Sequence, residues 1–218
     1  MNSKNKFPKF LERHEWSKKP AVFTKDSLII ANHQIMQRWE TNYMKTLASI
    51  ATKNRGDILE IGFGLGIAAH FIQKSKKINK HTIVEFHRDV IKYCKKLYSK
   101  EIKNKKIKLL EGFWENIVPK LPKESFDGIL FDPYPLSKNE IAKTRFRFFK
   151  EAFRLLKKDG ILTYYSDADT FKTFSEENIG KLKKAGFKKI NYKICKVNPP
   201  KNCIYYNKKT IIAPIIIK

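Results

Sequence analysis

Three short segments of this chain set glycine, acidic and aromatic residues where they could act on a bound molecule. In "LEIGFGLGIA", Gly62, Gly64 and Gly66 fall in a turn after an apolar run. Missing side chains there let the backbone come close to a bound nucleoside. Glu60 is the acidic residue that leads this turn, and Glu85 ends the next apolar run, 19 residues beyond Gly66. A carboxylate at such a strand end can accept hydrogen bonds from both hydroxyls of a ribose. In "FDGILFDPYPLS", Asp132 directly precedes Pro133, Tyr134 and Pro135. That stiff loop would hold an acceptor and an aromatic face over a reacting group. Each feature also has a plainer reading: a tight turn, a surface glutamate, a turn residue before proline. Their order along one chain favours chemistry.

The elements that must position these residues follow from periodicity. Residues 1–26 are polar and carry Pro8, Pro20 and several lysines without a sustained period, so they read as an arm or lid anchored by Trp16. Residues 27–218 read as a single domain. From Ser27, apolar residues recur at helical spacing, with Ile29, Met36, Tyr43, Leu47 and Ile50 on or near one face, and this predicts a helix. Glu40 lies on the same stripe, where burial is costly unless a cation or donors meet it; the alternative is a rim glutamate paired to a lysine. Beyond it, "DILEIG", "HTIVEFH", "KIKLLEG", "FDGILFD" and "KKDGILTYYS" read as strands separated by helical segments, one of them from about Asn139 to Leu156. This rhythm predicts a mostly parallel, doubly wound sheet that binds ligands beyond the carboxyl ends of its strands. No helical pattern separates the last two apolar segments, which predicts an antiparallel C-terminal hairpin.

Composition narrows the class. At 218 residues the chain can bury a full sheet between two helical layers. The absence of a charged-then-apolar leader, and an apolar ending far shorter than the roughly 20 residues that cross a bilayer, point to a soluble, cytoplasmic protein with no membrane partner. Cys94, Cys195 and Cys203 form no CxxC and the five histidines show no ligand spacing, so reduced thiols and no metal are expected. The net charge of +25 would suit nucleic acid. Lysine is nevertheless scattered along the whole chain, as general enrichment on solvated faces would leave it.

The glycine turn departs from a dinucleotide GxGxxG and matches the ExGxGxG of S-adenosylmethionine-dependent methyltransferases. Together with "IMQRWETNYM", "LLEGFWENIVPKLP", "FDGILFDPYPLS", "AFRLLKKDGILTYY" and "CIYY", it gives a chain that resembles guanidinoacetate N-methyltransferase over most of its length. The resemblance implies a Rossmann-like α/β fold with a seven-stranded sheet and helices on both faces, and S-adenosyl-L-methionine as cofactor. It implies that Glu40 and Asp132 hold a guanidinium, a planar fork of donors that two carboxylates can clamp. Free guanidinium, with a pKa of about 12.5 to 13.8, has no useful lone pair, so these acids would localise its charge and accept a proton as the methyl moves. For the cofactor it points to Met36 and Met44 near the methionine end and to the backbone of Leu65, Gly66, Ile67, Ala68, Ala69 and His70. It adds Glu85, Phe86 and His87 at the ribose and adenine, Trp114 and Glu115 beside the adenine, and Trp16 closing over it. On plainer readings the methionines could equally be core, Trp114 could pack between strand and helix, and Trp16 could be disordered.

Where the family has an Asn-Leu-Thr-Ser-like stretch whose backbone receives the substrate carboxylate, this chain has Ser166, Asp167, Ala168 and Asp169. Two added carboxylates at the Asp167–Ala168 subsite favour a cationic far end, such as the α-amino group of arginine. The expected partner is a small guanidino molecule. Similar chains also include arginine N-methyltransferases, some acting on a protein arginine. A base N-methyltransferase acting on RNA or DNA is a further reading, because "DPYP" looks like the Asp/Asn-Pro-Pro-Tyr loop of those enzymes. Against it, the second proline is absent, no appended RNA-binding module is visible, and "RWETNYM" would go unexplained. A non-catalytic scaffold would be expected to lose Glu85 or Asp132 first.

Overall fold

The computed structural model describes residues 7–141, 143–166 and 172–218. Between residues 21 and 37 it forms a three-stranded antiparallel sheet of β1 (Ala21–Phe23), β2 (Ser27–Ile30) and β3 (His33–Gln37), which corrects the helix expected from Ser27. Ala31 (φ 50°) and Asn32 (φ 64°) form the two-residue turn between β2 and β3. Both central positions of such a turn need positive φ, which asparagine tolerates, and β-branched Ile29 and Ile30 favour the extended chain before it. Leu28, Ile30 and Met36 face inward. The helical spacing of Ile29 and Met36 is therefore accidental: Met36 pairs with Leu28, and Ile29 with Gln34 on the opposite face. The true helix, α1 (Thr41–Ala51), follows a 3₁₀ turn at Arg38–Glu40 and buries Tyr43, Met44 and Leu47.

The large sheet consists of β4 (Gly56–Ile61), β5 (Ile78–Glu85), β6 (Ile107–Glu111), β7 (Phe126–Phe131), β8 (Leu156–Tyr164), β9 (Lys189–Lys196) and β10 (Thr210–Ile217). Its spatial order is β6-β5-β4-β7-β8-β10-β9. Strands β4 to β8 pair in parallel, and β10 runs antiparallel to both neighbours, so the expected C-terminal hairpin is present. The order reverses at β4, between β5 and β7, and a crevice opens there beyond the strand ends.

Helices α2 (Ile67–Lys74) and α3 (Arg88–Leu97) cover one face together with α1, while α6 (Thr144–Leu155) and α7 (Glu176–Ala185) cover the other. The short α4 (Ser99–Lys103) and α5 (Trp114–Ile117) complete the set among the described residues. The helix expected from Asn139 starts at Thr144, after a separate 3₁₀ turn at Lys138–Glu140. The parallel strands hold near-continuous apolar runs because both faces are covered.

Residues 7–26 lie against this body. Their 3₁₀ helix, Arg13–Lys18, buries the whole Trp16 ring, and its indole N–H donates to the Leu136 carbonyl at 3.1 Å. Among the described residues, no helix is long and apolar enough to cross a membrane, and no group of three or more His, Cys, Asp or Glu could hold a metal ion.

Candidate active site

Strand β4 ends in the glycine turn because no other residue fits. Gly62 has φ 85°, and a Cβ there would stand 2.4 Å from the Asp132 carbonyl oxygen. Gly64 has φ 54°, and a Cβ would stand 2.8 Å from the Met36 sulfur. The bare turn thus brings the end of β4 against the end of β7 and against the small sheet. Glu85 locks it from the other side. One carboxylate oxygen accepts the Phe63 N–H at 2.9 Å, and the other accepts the Phe86 and His87 N–H groups, both at 2.8 Å. Burial pushes this carboxyl up, and the three N–H donors oppose the shift. An oxygen that accepts one bond keeps a lone pair for a ligand hydroxyl, so a ribose fits this cradle.

The arm closes one side. Arg13 pairs with Glu115 and with Glu140 (3.3 Å), and its guanidinium lies 4.5 Å from the centre of the Phe113 ring. The His87 ring donates to the Lys19 carbonyl at 2.9 Å, and the Ala21 N–H donates to Asp89 at 3.0 Å. Buried His33 donates from Nε2 to the Lys9 carbonyl (3.2 Å) and accepts at Nδ1 from the Tyr134 hydroxyl (2.9 Å). Burial holds this imidazole below its ordinary pKa, in the neutral form that this bonding needs. The ring of Tyr134 is thereby fixed beside Asp132.

The far end of the same cleft is acidic and unneutralised. Glu40, 2 % exposed, accepts the Gln37 N–H at 2.8 Å and a short hydrogen bond from the Tyr205 hydroxyl. Burial raises its pKa to about 7 against the opposing pull of those two donors. Asp132 is pushed well above the usual carboxylate range, first by burial, then by the charges of Glu40 and Glu60. Among the described residues neither acid has a salt-bridge partner. Two buried carboxylates that repel each other share protons until a cation arrives. A planar cation with several N–H donors relieves both the charge and the empty acceptor positions.

Half of the predicted residues meet in this cleft. Trp16, Met36, Glu40, Gly62, Gly64, Glu85, Phe86, His87, Trp114, Asp132 and Tyr134 all line it. Others support it from behind. Met44, Ile67, Ala68 and Ala69 are core residues, Leu65 donates its N–H to the Met36 sulfur at 3.3 Å, Gly66 caps α2, and His70 is exposed on that helix. Glu60 turns away from the cleft and pairs with buried His81 at 2.8 Å, on the α2 side of the sheet. Glu115 faces the arm and pairs with Arg13 and Arg147. Asp167 and Ala168 lie outside the described residues. Tyr165, Tyr205, Tyr206 and Arg145 also line the cleft, and sequence reasoning assigned none of them. The "CIYY" segment alone signalled Tyr205, as part of a resemblance.

Comparison with known proteins gives the family. The family description "Guanidinoacetate N-methyltransferase" matches residues 12–218. The protein arginine N-methyltransferase 2 of Candida glabrata is 38% identical over 51% of this chain and 29% of its own length. That of Yarrowia lipolytica is 26% identical over 84% of this chain and 40% of its own length. The chain thus spans well under half of either relative. Two solved structures share the fold: spermidine synthase from Thermotoga maritima (TM-score 0.61, 16% identity, 87% of this chain and 64% of that one) and a SAM dependent methyltransferase from Archaeoglobus fulgidus (TM-score 0.57, 14% identity, 82% and 92%). With the glycine cradle, Glu85 and the acidic cleft in place, the chain belongs to the guanidinoacetate N-methyltransferase family of S-adenosylmethionine-dependent methyltransferases.

Proposed function

We propose that this methyltransferase acts on a guanidino nitrogen of a small molecule, such as guanidinoacetate, arginine or a related guanidine. The observation that carries this reading is the pair of buried carboxylates, Glu40 and Asp132, facing one cleft without a cationic partner among the described residues. Glu40 and Asp132 clamp the guanidinium from two edges and concentrate its charge on the nitrogens they touch. That returns electron density to the nitrogen that faces the methyl group. Bound S-adenosylmethionine supplies a methyl carbon on a positively charged sulfonium. The N–C bond would form as the C–S bond of the sulfonium breaks, leaving a neutral thioether, and the nitrogen would shed its proton to Glu40 or Asp132; the Glu40 carboxyl, with a pKa near 7, suits that acceptance. The stiff Pro133–Pro135 loop and the His33-bound Tyr134 hold the acceptor in line, and this alignment is a main source of rate. At the cofactor end, Glu85, the Gly62–Gly64 turn, Met36, Phe86, Trp114 and Trp16 form the binding wall in this proposal.

The names of the relatives favour a second reading, an arginine side chain within a protein. The net charge of +25 weighs against a strongly basic polypeptide partner, and the arm covers one side of the cleft. The test is to incubate the protein with methyl-labelled S-adenosylmethionine and, separately, guanidinoacetate, arginine, agmatine, a basic protein mixture and bulk RNA. Label on a small guanidine supports the proposal. Label on protein alone selects the second reading, and label on RNA alone overturns both.

A further inference from the structure

Strand β8 delivers a second group to the acceptor end of the cleft. Phe131 and Tyr164 are paired neighbours on β7 and β8, and both side chains lie in the core on the α6 face. Successive residues of a strand point to opposite faces, so Asp132 and Tyr165 both turn to the α1 face, where Glu40 stands. The Tyr165 N–H donates to the Phe131 carbonyl at 3.1 Å, which ties the two strand ends together at this point. The Tyr165 ring stands edge-on to Tyr43, with centroids 5.4 Å apart at 84°. Tyr43 is itself immobilised: its hydroxyl donates to the Ile212 carbonyl (2.9 Å) and accepts the Ser166 N–H (3.1 Å).

The Tyr165 hydroxyl oxygen is buried, yet among the described residues it has no hydrogen-bond partner. A buried hydroxyl without a partner is costly, and such groups in native proteins call for an explanation. Tyr165 lines the cleft together with Glu40, Asp132 and Tyr205, and its hydroxyl feels the charges of both acids. Those carboxylates are acceptors only. A monosubstituted guanidinium has five in-plane N–H donors, of which two bidentate carboxylates take four at most.

We propose that the Tyr165 hydroxyl oxygen completes the acceptor site by taking an in-plane guanidinium N–H that Glu40 and Asp132 leave free, an inference that rests on the guanidino reading above. With every in-plane hydrogen engaged, only the face of the guanidinium is left open, and that face receives the methyl group. A neutral phenol suits the position because it adds a hydrogen-bond acceptor without adding a third negative charge. Burial and the surrounding acids keep it protonated. Tyr165 thereby favours a guanidinium over an ammonium, whose donors do not lie in one plane.

The test compares wild-type protein with Tyr165→Phe. It measures KM and kcat for whichever of guanidinoacetate, arginine and agmatine the wild type methylates best, S-adenosylmethionine affinity by calorimetry, and Tm. The expected result is an acceptor KM raised about tenfold or more, the weight of a hydrogen bond to a charged group, with kcat within about threefold. Cofactor affinity and Tm should stay unchanged. An acceptor KM within about twofold of wild type, while the wild type methylates a guanidine, overturns the role of Tyr165 and leaves the guanidino reading standing. A lowered Tm, or an equal loss of cofactor affinity, makes the hydroxyl a structural group and overturns it too. If the wild type methylates no guanidine, both inferences fall together.

Discussion

The two ends of the cleft are built on opposite principles. At the end proposed for the cofactor, Glu85 already receives three backbone N–H groups and the arm seals the wall through Trp16, so the polar groups of this region are satisfied within the chain. At the acceptor end, Glu40 and Asp132 repel each other and the Tyr165 hydroxyl has no partner among the described residues. Charged groups left partly uncompensated cost folding stability, and binding sites commonly carry such a cost. In the function proposed above, the first end is scaffold and site at once, whereas the second is where a cation would relieve the raised carboxyls.

The largest effects should separate the two ends cleanly. Asp132→Asn keeps the shape of the loop but removes a charge and a proton acceptor. Turnover should fall about 10³-fold, within the range for lost general-base and charge-stabilising groups. Cofactor affinity should hardly move, and Tm should hold or rise at neutral pH, because a buried charge held above its ordinary range is gone. Glu85→Ala should do the reverse: three orphaned N–H groups lower stability by about 2–4 kcal/mol, and cofactor affinity falls with it. Calorimetry and thermal melts on both variants check this crossing of effects. A loss of stability in Asp132→Asn equal to that in Glu85→Ala would erase the distinction between the two ends.

Glu40→Gln sharpens the comparison at an intermediate scale. The Glu40 pKa is raised from an ordinary 4.5 to about 7 in the folded state. Its contribution to stability is therefore fully present below about pH 4.5 and is lost as pH rises through about 7. Above that, the ligand-free protein carries an unwanted charge. Glutamine can still accept the Gln37 N–H and the Tyr205 hydroxyl without that charge, so Glu40→Gln should be more stable than wild type at pH 8, by about 1–3 kcal/mol, and equal to it near pH 4.5. Activity should be largely abolished. The same titration predicts that wild-type kcat/KM for a guanidine falls about tenfold per pH unit below 7, because the cation must displace a proton. Denaturant melts and rate profiles from pH 5 to 9 check both statements. A variant less stable than wild type at pH 8 would show that Glu40 is neutralised in some other way.

How far the sequence revealed these ends follows the same division. The glycine turn and the strand-end Glu85 were readable because their signals are local: glycines where a Cβ would collide, an acid at a strand end, apolar runs of buried parallel strands. The small sheet at residues 21–37 was misread because Ile29, Met36 and Tyr43 happen to sit at helical intervals, although the chain turns sharply at Ala31 and Asn32. Glu40 was rightly placed on a buried stripe, yet that stripe is assembled from strands, a 3₁₀ turn and a helix. The partners of Glu40 were invisible, because Tyr205 meets it across 165 residues and Tyr165 arrives from β8. No periodicity reports a contact made only by tertiary closure. Glu60 shows the opposite failure: it occupies the motif position, but strand alternation turns it into the core toward His81.

The arm closes the first of these ends, and its Arg13 gives the smallest expected effect. Its guanidinium reaches Glu115 and Glu140 but is 39% exposed, so solvent and salt screen both pairs. The hold of the arm rests instead on buried Trp16 and its bond to the Leu136 carbonyl. Arg13→Ala should therefore cost less than about 1 kcal/mol of stability and weaken cofactor binding only about two- to threefold, and 0.5 M salt should weaken the wild type by a similar factor. Cofactor titrations of both proteins at low and high salt decide the matter. A loss of tenfold or more in Arg13→Ala would mean that ion pairs close the arm, and the cofactor end would then depend on charge as much as the acceptor end does.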